Sequence, residues 1–134
     1  MWHRVLERNQ FISSLYHEVP KLINVRIVGI KITDEGRRVS LHFNMPKFAE
    51  NPPAKWKISG YNTVFVELDF FDIQELKVSY SKENLMGNII LEKNEQDKFK
   101  VRISGAVNME LVADIGIIQT VSGYIDHLQG ENTY

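Results

Sequence analysis

The chain has 134 residues, 43% of them hydrophobic and 25% charged, with 17 acidic side chains against 16 basic ones and a formal net charge of −1. That length holds one domain, spanning 1–134, with a core that needs no staple, and the composition is that of an ordinary folded protein. Cysteine is absent, which excludes a disulfide framework and thiolate chemistry, and the balanced charge excludes a nucleic-acid binder that works by neutralising phosphates.

Residues 2–18 predict one helix. At 100° per residue Trp2, Val5, Leu6, Ile12, Leu15 and Tyr16 share one half of the wheel, with polar residues opposite, and Pro20 ends it. Arg4, Glu7 and Arg8 interrupt any secretory apolar region. No stretch approaches the roughly 20 apolar residues of a membrane helix. The expected location is the cytoplasm.

After Pro20 the period changes to two. "NVRIVGIKI" and "VSLHFNM" read as a hairpin around the turn "TDEGRR". In the second of these, Val39, Leu41, Phe43 and Met45 face one way and Ser40, His42 and Asn44 the other. Residues 46–60 form a loop, because Pro46, Pro52 and Pro53 forbid a central strand. Trp56, between Lys55 and Lys57, reads as a plug over one end of the sheet, and Tyr61 and Asn62 as the start of the next strand. From there Val64, Val66, Leu68 and Phe70 alternate with Thr63, Phe65, Glu67, Asp69 and Phe71. "QELKVSY" follows with Leu76, Val78 and Tyr80 inward; "NIILEK", "KFKVRIS", "VNMELVAD" and "IGIIQTVSGYI" supply more strands, and "QGENTY" reads as a frayed end. The sum is an α+β, mainly β domain: one N-terminal helix packed on about seven or eight antiparallel strands, as a sandwich or a partly open barrel.

Catalytic motifs are scarce. His3, His17, His42 and His127 are too far apart in sequence to form a local metal motif. "HEVPK" fails as a zinc helix, because Lys21 stands where the second histidine belongs and Pro20 breaks the helix. No phosphate-cradling glycine loop or nucleophile elbow occurs. No cofactor is implied. Glu67 and Asp69, two apart on a strand, point to one face about 7 Å from each other. Such a pair can serve glycosidase-type hydrolysis, or it can simply line the solvated face of an antiparallel strand. Phe65 and Phe71 share that face. Apolar groups among acids on a strand surface mark protein interfaces. Phe65, Glu67, Asp69, Phe71, Asp72 and Glu75 are therefore the candidate partner-binding residues. A small-ligand site in a barrel mouth is a further reading.

The segment "PPAKWKISGYNTVFVELDFFDIQELKV" resembles the immunity protein 50 family of bacterial polymorphic toxin systems. The resemblance rests on P-P-x-K-W at 52–56, G-Y-N-T-V at 60–64 and L-x-F-x-D-I-x-x-L at 68–76. Trp2 and the aromatic–x–x–x–Pro–x–Leu segment from Tyr16 to Leu22 are similar to the family's opening. Trp2, Pro53, Trp56, Tyr61 and Asn62 carry this structural pattern. One departure stands at His17–Glu18, where the family often shows a His–Asp pair. The resemblance implies a non-enzymatic protein whose partner is a cognate toxin domain encoded nearby, held by direct and very tight binding. It implies no membrane and no direct nucleic-acid contact.

Overall fold

Alternating apolar residues can bury one face of a strand only if the sheet curls onto itself or meets a second layer. A computed structural model, which describes residues 1–81 and 85–127, shows the first solution. Among the described residues six strands, β1 (Val25–Thr33), β2 (Arg38–Asn44), β3 (Thr63–Tyr80), β4 (Met86–Lys93), β5 (Phe99–Gly105) and β6 (Val107–Tyr124), close into an antiparallel barrel ordered β1-β2-β3-β6-β5-β4. The expected seven or eight strands become six because the sequence pattern divides two long strands that the fold keeps whole. β3 joins the predicted segments either side of Asp72, and β6 joins those either side of Asp114. In β3 a bulge between Ile73 and Glu75, beside Asp72 at φ 54°, bends the strand without ending it. The last six residues, read as frayed, lie outside the described ones.

The lumen is solid. Val39, Leu41, Phe43, Val64, Val66, Leu68, Phe70, Val101 and Leu111 are each 0% exposed, as small barrels require. Phe43 and Phe70 each contribute roughly 2–3 kcal/mol by leaving water.

The N-terminal segment completes this core, but not as one helix over 2–18. It forms a 3₁₀ turn, Trp2–Val5, and a short helix α1, Gln10–Leu15. Between them Arg8 takes φ 62°, and Glu7 makes a parallel bridge to Ile117, whose neighbour Ile118 donates its N–H to the Glu7 carbonyl at 3.0 Å. Of the residues expected inside, Trp2, Leu6, Ile12, Leu15 and Tyr16 are buried and Val5 is half-buried, while His3, expected on the polar half, is buried as well. The apolar face is the expected one; tertiary pairing replaces the helix that would have carried it. Trp2 packs edge-on against Phe43, and its indole N–H donates to the Pro20 carbonyl at 3.0 Å.

Within the loop 46–60 a second short helix, α2 (Ala54–Ile58), follows Pro53, whose carbonyl accepts from the Trp56 and Lys57 amides. It seats Trp56, 8% exposed, among Phe11, Phe48 and Tyr61 and over Gly123. A Cβ at Gly123 would lie 2.7 Å from Tyr61 and 2.8 Å from Trp56. Asn62 ties the start of β3 to the end of β6: its amide donates to the Asp126 carbonyl, and its carbonyl accepts the Asp126 N–H at 2.8 Å.

The barrel strands are unequal in their neighbours. β3 and β6 pair along their whole length, from Thr63↔Tyr124 to Tyr80↔Val107. β2 covers β3 only from Phe65 to Phe71, and β5 covers β6 only from Met109 to Ala113. Closure is made by a short contact, Val25↔Gly87 and Arg26↔Met86.

Candidate partner-binding face

The β2–β3 register decides which side chains meet outside the barrel. Val39, Leu41 and Phe43 face inward opposite Phe70, Leu68 and Val66; hence Arg38, Ser40, His42 and Asn44 stand outward opposite Phe71, Asp69, Glu67 and Phe65. This outer row gathers four of the six candidate residues, Phe65, Glu67, Asp69 and Phe71. The other two are elsewhere. Asp72 is exposed at the bulge, and Glu75 is exposed on the second half of β3 opposite Val112.

At the centre of the row lies an ionic cluster. Arg38 Nη2 donates to Asp69 Oδ2 at 2.5 Å and stands 3.8 Å from Glu67 Oε2. Its guanidinium also lies over the Phe71 ring, 5.5 Å from the centroid. His42 Nε2 is 3.6 Å from Glu67 Oε1, and its ring meets Phe65 edge-on at 5.4 Å. The aromatic residues thus flank the charges, one at each end.

Two expectations are corrected here. Asp69 is not a surface acid: it is 0% exposed, sealed beneath Arg38. Phe65 and Phe71 are half-buried, not open to water. Burial of a carboxylate is tolerable only with a partner of opposite charge, and the guanidinium beside it provides one.

Burial, then the hydrogen bond and charge of Asp69, push the Glu67 carboxyl above its ordinary value of 4.5, against the pull of Arg38. Asp69 Oδ1 is buried with no hydrogen-bond partner. His42 is held below 6.5, by burial first and by Lys31 next. At neutral pH its ring is therefore uncharged, and 3.6 Å to Glu67 is too long for a hydrogen bond.

Sequence reasoning misses Arg38, His42 and Lys31 as members of this site, because Arg38 reads as part of the turn. The available signal is the hairpin: pairing residues outward from that turn places Lys31 opposite Ser40, and the next strand then sets Ser40 opposite Asp69. Among the described residues no group of three His, Asp or Glu side chains is placed to hold a metal ion, and no helix is long and apolar enough to cross a membrane.

The family model described as immunity protein 50 matches residues 8–124, from the turn that bridges to β6 through to the last residue of that strand. Comparison with the curated proteins and with the solved structures gives no match.

Proposed function

The chain belongs to the immunity protein 50 family, and from that premise we propose that it neutralises a cognate toxin domain, encoded nearby in a polymorphic toxin system, by binding it directly in the cytoplasm. The family match is the observation that carries this reading. The outer face of β2–β3 supports it with a surface suited to contact. Glu67 and the rings of Phe65 and Phe71 remain reachable, while Asp69 and Arg38 beneath them fix their positions. Prearranged side chains lose little freedom when a partner docks. Aromatic rings flanking a charge are a common form of interface anchor.

The same geometry disfavours the two other readings. A hydrolase needs both carboxyls at the substrate, yet Asp69 has no exposed surface and is bound to Arg38. A small-ligand site in the barrel mouth would have no cavity below it to enter, because Phe43, Phe70 and their neighbours fill the lumen.

The test is co-expression. The toxin domain encoded beside this gene is expressed alone and together with the chain, and growth is followed. Growth that fails alone and returns with the chain is the expected result. Titration calorimetry on the purified pair should then give tight binding that Glu67→Arg and Phe71→Ala weaken, roughly tenfold or more for a central anchor. A toxin that stays lethal beside soluble, folded chain would sink the proposal.

A further inference from the structure

The second half of β3 is an open sheet edge. From Ile73 to Tyr80 its only strand neighbour among the described residues is β6, and the side that β2 covers further up is bare. Val78 and Tyr80, expected inside, are 45% and 66% exposed for that reason. Such an edge presents unpaired backbone groups, and proteins usually guard it.

Its charges are not random. On the outer face Arg102 of β5 stands opposite Glu110 of β6, and Glu110 stands opposite Lys77 of β3. A row of alternating sign thus crosses three strands and stops at the bare edge on a cation. The next strand added to this sheet would best place an acid beside Lys77. Glu75 and Lys77 themselves make no ion pair among the described residues.

We propose that the chain forms a two-fold dimer by antiparallel pairing of this edge with its own copy, centred on Leu76. In that register Leu76 faces Leu76 of the second copy, and Glu75 of each copy faces Lys77 of the other. The acid is supplied where the charge row calls for it, and the two-fold uses it twice. Moving the centre by one residue places Glu75 on Glu75 or Lys77 on Lys77, so the charges also select the register. The bulge after Ile73 confines regular pairing to the residues around Leu76. The contact is small, which suits a dimer that dissociates on dilution.

Sedimentation equilibrium on the purified chain over a concentration series tests this. The wild type should dimerise. Glu75→Lys and Lys77→Glu should each be monomeric, with association weakened roughly tenfold or more, since each opposes like charges at both ends of the contact. Their equimolar mixture should dimerise again, because positions 75 and 77 of one variant then meet only opposite charges on the other. Circular dichroism melts on each variant check that the fold is kept. A wild type that stays monomeric to millimolar concentration overturns the proposal. So does a mixture of folded variants that fails to recover. If amides 74–78 are protected from exchange only when a toxin domain is added, the edge belongs to that partner and the dimer is wrong. The sedimentation arms do not depend on the immunity reading.

Discussion

The two halves of β3 carry the same kind of sequence and meet opposite fates. From Phe65 to Phe71 the strand lies between β2 and β6, and even its outward acid Asp69 is sealed. From Ile73 to Tyr80 the alternation continues, yet Val78 and Tyr80 on the inward side stay wet. The difference is the number of neighbouring strands, not the residues. Alternation tells which face a side chain takes; only topology tells whether that face is covered.

Four measurements would break or sharpen this contrast. The largest effect is expected inside the covered half. Phe70→Ala should cost about 3–5 kcal/mol in denaturant titration, while Val78→Ala should cost under about 1 kcal/mol; comparable costs would end the distinction. Next is the buried acid. Asp69→Asn takes from Arg38 its nearer carboxylate and should cost about 2–4 kcal/mol, toward the low end for a broken buried pair because Arg38 keeps Glu67 at 3.8 Å and some contact with water. The same kind of change at exposed Glu75, to Gln, should stay within about 0.5 kcal/mol.

Third comes acidity. Glu67 is held above 4.5, so as pH falls toward 4.5 the folded chain takes up its proton before the unfolded chain does, and stability from this group grows. His42 is held below 6.5, so the stability tied to its neutral ring is lost as pH falls through 6.5 toward its folded value. The two oppose. Glu67→Gln removes the first alone, and stability should then drop more steeply between pH 6.5 and 4.5 than in the wild type. An unchanged slope would show that Glu67 is not perturbed. The smallest effect lies in backbone exchange. In dilute solution amides 66–70 should exchange slowly throughout, while those from 75 to 80 should alternate fast and slow, since every second N–H points to the bare edge.

Much of this fold is legible because period-two alternation is a strong local signal. The strands, the β1–β2 turn and nearly every lumen residue can be read directly. Trp56 also sits where a plug is expected, among Phe11, Phe48 and Tyr61. The helix over 2–18 fails because a wheel records only which residues want burial. Trp2, Leu6 and Ile12 reach the core equally well from a 3₁₀ turn, a bridge at Glu7 and one short helix. The strand count fails because Asp72 and Gln74 look like a turn locally, while the long β6 partner carries the chain across them as a bulge. The burial of Asp69 is invisible for a related reason: Arg38 lies on another strand, and no local pattern links the two.

The bridge at Glu7 also bears on how the protein comes into being. Leu6 rests on Gly116, and Glu7 pairs with Ile117, across nearly the whole length of the chain. On the ribosome, the segment around Glu7 has no seat until β6, made long after it, has emerged. Until then Leu6 lacks the Gly116 backbone it packs on. Folding limited by such distant contacts takes on the order of milliseconds to seconds, and the pairing of Glu7 with Ile117 should be among its last events.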